Sequence, residues 1–311
     1  MSLWGVSDMV PTGKYVLVTG ATGFIGKRLV GALLTEGYKV RCLVRRPDAP
    51  LPPGVDRAVG DLLEPLTLSN ALAEVDTAYY LVHSMGGSRA GFDRRDRTAA
   101  EYFVKAAKSA GLRRTIYLGG LGETGDNLSE HLKSRLEVEK ILWNGTFKTT
   151  VLRAAVIIGA GGASFEIIRS LVKHLPFMIT PRWVATRCQP IAVADVIRYL
   201  TGCLADERTA GQTFDIGGPD ILTYRQMIER FAKITGKFVV IVPVPVLTPK
   251  LSSYWVGLMT PVKPSISMPL IEGLANEVVC REEQIREYLP IPLTSYDIAV
   301  KDALAEMESS I

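Results

Sequence analysis

Little in this chain of 311 residues suits it to an oxidising compartment, a bilayer interior or a metal. Cysteine is scarce: Cys42, Cys188, Cys203 and Cys280 are scattered without a C-x-x-C spacing, and they read as reduced, mostly buried thiols of a cytosolic protein. The three histidines stand far apart in sequence, so no metal site is suggested. No uninterrupted apolar run reaches the ~20 residues that span a bilayer. Residues 1–13 lack the basic start and long apolar core of a signal peptide and read as a flexible leader, which makes a cytoplasmic location the expectation. Strong charge is also missing. A net charge of +4 and no basic cluster interleaved with aromatics argue against nucleic acid, and the mild excess of Arg and Lys fits an anionic small ligand. Internal repeats and low-complexity tracts are absent. What remains is an ordinary globular composition, 47% hydrophobic and 22% charged, long enough for one large core or two modest ones.

Against that plain background one stretch stands out, Y-V-L-V-T-G-A-T-G-F-I-G from Tyr15 to Gly26. Val16, Leu17 and Val18 suit a short buried strand. Gly20, Gly23 and Gly26 follow, and then a helical apolar pattern begins at Leu29, Val30, Leu33 and Leu34. A strand, a glycine turn and a helix form the context in which such glycines bind phosphate. Gly20 would allow the tight turn, Gly23 the approach of a pyrophosphate, and Gly26 close packing of the helix. The helix N-terminus offers free N–H groups and the positive end of its dipole. An ordinary strand-to-helix turn is the competing reading.

The spacing predicts a second strand at Val40–Val44, ending at Arg45-Arg46-Pro47. In a dinucleotide fold this end faces the adenosine ribose. An acidic residue there would favour a 2′-hydroxyl, whereas a guanidinium matches a 2′-phosphate. NADP(H) is therefore favoured over NAD(H), with a solvated loop as the alternative reading of Arg46. A third strand at Val55–Gly60 leads to Asp61 and Leu62, where an acidic side chain can reach an adenine amino group or simply close a surface turn. A fourth strand, Ala78–Val82, runs into His83 and Ser84, which read as a cofactor wall or as catalytic groups. A crossover helix from Arg89 to Ala110 precedes a fifth strand, Thr115–Leu118, and the glycines from Gly119. Strands and helices alternating in this way predict an α/β, Rossmann-like, doubly wound parallel sheet.

The T-G-A-T-G-F-I-G turn, Arg45, Gly60-Asp61-Leu62 and Gln189-Pro190-Ile191 with Asp195 resemble an extended or atypical short-chain dehydrogenase/reductase. The segments A-Y-Y-L-V-H-S-M-G, R-W-V-A-T-R-C-Q-P-I and S-S-Y-W-V-G are similar to the NmrA-like, NAD(P)-binding subgroup. That subgroup includes YbjT-like chains and relatives of an accessory subunit of respiratory complex I. The resemblance runs from Lys14 to about Ala305. It implies cofactor contacts from Gly20, Thr22, Gly23, Phe24, Ile25 and Gly26, from Arg45, Arg46, Asp61 and Leu62, and from Leu81, Val82, His83, Ser84, Gly119, Arg135 and Ala154. Ala154 stands where the family's L-R-P segment has proline, with backbone contact to the nicotinamide amide implied.

The informative departure lies at the family's catalytic groups. The serine's place falls on Gly119-Gly120, and the Tyr-x-x-x-Lys place on His131-Leu132-Lys133-Ser134-Arg135. His131 and Arg135 at i and i+4 share a helical face. An imidazole titrates near neutrality and can serve as acid or base. Arg135 can hold ribose hydroxyls but stays charged. Carbonyl polarisation would then fall to backbone N–H groups or to Ser84. Loss of the machinery altogether is the alternative, and a sugar-nucleotide epimerase is a weaker third reading.

The rest of the chain reads as a substrate side. The dinucleotide domain is expected over 14–220, with an insertion near 159–188, and a smaller, mostly helical region over 221–311. Gly159 to Gly162 is expected to be a flexible hinge, and Phe177, Met178 and Trp183 are candidates for the rim of an apolar ligand pocket or for core. The apolar stretch around 247–260, with Tyr254 and Trp255 between Lys250 and Lys263, suits a helical lid or a peripheral membrane contact. The expected partners are a small apolar substrate or ligand, with the chain a monomer or homodimer.

Overall fold

The computed structural model describes residues 14–82, 89–122, 130–180, 182–243 and 276–309, with backbone alone for 89–93, 130, 131, 182, 183 and 243. Short runs rich in Val, Ile, Leu and Tyr form the first six strands: β1 Tyr15–Thr19, β2 Val40–Val44, β3 Asp56–Val59, β4 Val75–Tyr80, β5 Arg114–Gly120 and β6 Lys148–Ala154. Four pieces of two to four residues follow: β7 Ile157–Ile158, β8 Phe177–Thr180, β9 Arg187–Cys188 and β10 Ile191–Ala192. Next come β11 Thr213–Ile216, β12 Leu222–Thr223 and β13 Val240–Pro243. The helices are α1 Phe24–Thr35, α2 Leu68–Leu72, α3 Arg89–Ser109, α4 Glu130–Trp143, α5 Ala163–His174, α6 Val193–Ala205, α7 Tyr224–Ile234, α8 Ile285–Tyr288 and α9 Tyr296–Glu308.

Seven strands make one parallel sheet in the order β11-β6-β5-β4-β1-β2-β3. All of β2 and β4 is buried, as expected for strands covered on both faces, whereas the edge strand β3 alternates half-buried and exposed. On one face α1 and α6 bring Leu29, Val30, Leu33, Val196 and Leu200 onto Val16, Val18 and Tyr79. On the other, α3 and α4 bring Phe103 and Leu142 onto Leu17, Tyr80 and Val151, with the Tyr80 and Phe103 rings edge-on at 5.1 Å. The strand order reverses around β1, which lies between β2 and β4. Ligands bind at this kind of crevice in open α/β sheets.

A third core lies off the sheet. Phe165, Ile168, Met227, Phe231 and Val300 from α5, α7 and α9 pack together, and small two-stranded ribbons (β10–β7, β12–β9 and β13–β8) edge this half. The segment Ile191–Ala192 pairs with β7 and stands outside the central sheet. Of the two places expected for Met178, the core is the one observed, because β8 alternates and its even residues face inward. Gly159 and Gly162 are packed rather than hinge-like, since a β-carbon on either would meet the Phe24 ring within 3.2 Å. Val240–Pro243, ahead of the apolar stretch around 247–260, is a strand, β13, paired in parallel with β8. Residues 247–260, Tyr254 and Trp255 lie outside the described residues. Among the described residues no helix is long and apolar enough to cross a membrane.

Candidate functional site

The turn after β1 is shaped by backbone contacts that leave no room for side chains. Gly20 has φ +69°, a left-handed conformation that L side chains rarely adopt, and a β-carbon there would lie 2.9 Å from the Leu81 carbonyl oxygen. At Gly26 a β-carbon would fall 2.1 Å from the Gly20 carbonyl oxygen. The Gly23 N–H donates to the Gly20 carbonyl at 2.9 Å and closes the turn. Gly23 is also the N-cap of α1, without a side-chain cap and with no acidic residue in the first turn. The leading N–H groups of α1 are thus uncapped by protein side chains and sit beside exposed Thr22 and Gly23 and half-buried Phe24 and Ile25. Free donors at a positive helix end suit an anion.

Neighbouring strand ends gather around this turn. The Thr19 hydroxyl donates to the Tyr79 carbonyl at 3.0 Å and accepts from the Leu81 N–H at 3.1 Å, so the end of β4 is tied to β1. Leu81 and Val82 are half-buried there, while His83 and Ser84 lie outside the described residues. Thr19 pairs with Leu43, and Val44 with Val59, which brings Gly20, Arg45 and Gly60 to one carboxyl edge. Arg45 is exposed and has no ion pair among the described residues, whereas Arg46 lies 3.7 Å from Asp48 with both side chains in solvent. Asp61 closes a local turn: its Oδ1 accepts the Leu63 N–H at 2.9 Å, and Leu62 beside it is buried.

The helix expected to carry catalytic groups is α4, and both His131 and Arg135 lie on it. Arg135 reaches the end of β5, with Nη1 donating to the Leu118 carbonyl at 3.4 Å. Its Nε is buried without a hydrogen-bond partner among the described residues. Contacts invisible in the sequence pattern hold this helix. Tyr117 donates from its hydroxyl to the Arg135 carbonyl at 3.3 Å, and Ser134 donates to buried Asp96 on α3 at 3.3 Å. The Arg153 guanidinium on β6 grips buried Glu139 with bonds of 2.6 and 3.1 Å. Glu139 lies one helical turn beyond Arg135, the sole sequence signal that could have grouped them. Gly119 is buried within β5, which runs on to Gly120 rather than ending at Leu118. Ala154 is buried too, and its carbonyl accepts the Leu121 N–H at 2.9 Å.

Electrostatics leave few alternative proton donors. Burial pushes the Tyr79 and Tyr80 hydroxyls well above their usual range. Burial also pushes the Cys42, Cys188, Cys203 and Cys280 thiols up to about 12, so none is a thiolate nucleophile near neutral pH. All four are free. Among the described residues no group of His, Cys, Asp and Glu could hold a metal ion.

Comparison with known proteins agrees with this geometry. Residues 20–170 match a family model described as NAD(P)H-binding. The chain is 26% identical over 231 residues to the mitochondrial NADH dehydrogenase [ubiquinone] 1 alpha subcomplex subunit 9 of Arabidopsis thaliana, covering 70% of this chain and 57% of that protein. It is 26% identical over 252 residues to the chloroplastic divinyl chlorophyllide a 8-vinyl-reductase of Zea mays, covering 74% of this chain and 62% of that protein. The matches thus span about six tenths of the length of these curated relatives. In fold the chain is similar to the Citrobacter sp. triphenylmethane reductase solved with NADP(H), with a TM-score of 0.74 at 18% identity, covering 93% of this chain and 99% of that one.

Proposed function

We infer that this chain, an NAD(P)H-binding protein with relatives in the atypical, NmrA-like group of short-chain dehydrogenase/reductases, is an NADP(H)-dependent oxidoreductase acting on an apolar carbonyl or related small molecule. One observation carries the cofactor reading: the tight glycine turn and the uncapped start of α1 lie at the same sheet edge as the exposed guanidinium of Arg45, which has no ion pair among the described residues. The uncapped N–H groups of α1 would hold the pyrophosphate. Arg45 would pair with a 2′-phosphate, and Asp61 would stand towards the adenine. Thr22, Phe24, Ile25, Leu62, Leu81, Val82, Gly119 and Ala154 would wall the rest, with Arg46 at the solvent side.

When bound, the reduced nicotinamide supplies a hydride. The chain's own part is the proton and the positioning. His131 would donate the proton from its imidazole, a group that can serve as acid or base. Arg135, one helical turn on, would anchor ribose hydroxyls, and its buried unpartnered Nε favours this, because a buried orphan donor is costly until an acceptor arrives. Ser84 or backbone N–H groups would polarise the substrate carbonyl.

A non-catalytic NADP(H)-dependent sensor or assembly scaffold is the second reading. It is favoured by Gly119 and Gly120 standing in the fifth strand where the resemblance expects a serine. Calorimetry and turnover separate the two. Arg45→Asp is expected to weaken NADPH binding by about 2 kcal/mol, roughly thirtyfold in Kd, with NADH nearly unchanged; equal losses for both would remove Arg45 from cofactor selection. His131→Ala is expected to abolish turnover across a panel of apolar carbonyls at unchanged NADPH affinity. A parent chain that binds NADPH and reduces none of the panel supports the sensor.

A further inference from the structure

The most exposed apolar surface of the substrate half is built from two matching units. The helix α5 turns into β8, and α7 turns into β13; the two helices pack together and the two strands are parallel. Both helix C-termini and both turns therefore come to one end. Pairing of Phe177 with Val240 and of Ile179 with Val242 gives the ribbon a continuous outer apolar face, while Met178 and Ile241 face the core. Phe177 is 71% exposed, Ile179 61% and Val242 49%. Phe238, in the turn before β13, is 76% exposed, and the Val240 N–H bonded to the Pro176 carbonyl at 2.8 Å brings that turn against the start of β8.

Charge on these two segments has one sign. Lys173 lies in the last turn of α5, Lys233 in the last turn of α7, and Lys237 adjoins Phe238; all three are exposed and make no ion pair among the described residues. Neither 173–180 nor 231–243 contains an aspartate or glutamate. Monomeric proteins rarely leave such a contiguous apolar patch bare without a partner. An apolar centre with a cationic rim and no carboxylate matches a bilayer whose headgroups are anionic, where aromatic and aliphatic side chains enter the acyl boundary and lysines stay at the phosphates.

We propose that the β8–β13 ribbon, with Phe177, Ile179, Phe238 and Val242 at its centre and Lys173, Lys233 and Lys237 at its rim, docks this protein onto anionic membrane surfaces. This surface is separate from the cofactor edge and does not depend on the oxidoreductase reading. It would bring the substrate half against a lipid phase.

Co-sedimentation of the full chain with phosphatidylcholine vesicles, with and without phosphatidylserine, tests the proposal. The chain is expected to sediment with the phosphatidylserine vesicles, to be released as salt rises, and to stay in solution with phosphatidylcholine alone. The variants F177S and F238S should each abolish sedimentation, and each of K173Q, K233Q and K237Q should weaken it about fivefold. These side chains are exposed, so circular dichroism melts and NADPH calorimetry should match the parent, and F238S keeps the test open if F177S misfolds. The proposal is overturned if the parent binds neither vesicle, or if the serine variants bind as the parent does. It is also overturned if a dimer forms that F177S disperses; the cover would then be a second copy.

Discussion

The two halves of this molecule are held by different means. At the glycine-turn edge the backbone does the work: Gly20 and Gly26 bring backbone atoms to distances at which a β-carbon has no place. Where the sheet and its helices meet the rest of the chain, side chains tie short pieces together. Fully buried Asp195, in the first turn of α6, accepts the Thr294 N–H at 2.7 Å, its hydroxyl at 3.1 Å and Arg198 at 3.0 Å. Gln189 bridges the Gly218 carbonyl and the Cys280 N–H, and Arg28 on α1 reaches both the Ala160 carbonyl and Glu306 of α9. Backbone packing admits almost no substitution, whereas side-chain ties can be cut singly. The difference predicts where a mutation is felt.

The largest effect is expected at the turn. Gly26→Ala should cost about 3 kcal/mol by overpacking, read from urea unfolding, and should eliminate the heat of NADPH binding. A variant that keeps both would show that the turn tolerates a side chain, and the contrast between the halves would collapse. Next, Asp195→Ala strips a buried carboxylate from three donors. It is expected to destabilise by about 2 kcal/mol while leaving NADPH affinity intact. If affinity fell with stability, the two halves would be one mechanical unit. The smallest effect is expected at the start of α7, where the Thr223 hydroxyl accepts the Gln226 N–H and the Gln226 side chain accepts the Thr223 N–H. Thr223→Ala should cost about 1 kcal/mol, seen as a lowered melting temperature with cofactor binding unchanged.

Legibility in the sequence follows the same division. The run Y-V-L-V-T-G-A-T-G-F-I-G could be read directly, because a parallel strand, a glycine turn and a helix are local events encoded within a dozen neighbouring residues. Arg45 could be placed because one strand length from a known edge fixes a position. By contrast, the fate of Met178 hung on which face of β8 met α5 and α7, and an apolar letter alone does not say whether it lines a pocket or a core. Gly159 and Gly162 read as a hinge until the Phe24 ring was found against them.

Alone, the sequence determined the parallel α/β architecture and the location of the tight glycine turn between β1 and α1, since periodicity and glycine placement act over short spans. Only the tertiary structure decided how α4 is braced by Asp96, Tyr117 and Arg153, and that an apolar ribbon faces outward among lysines. Each of those depends on contacts between residues distant in the chain, and burial, not residue type, sets their chemistry.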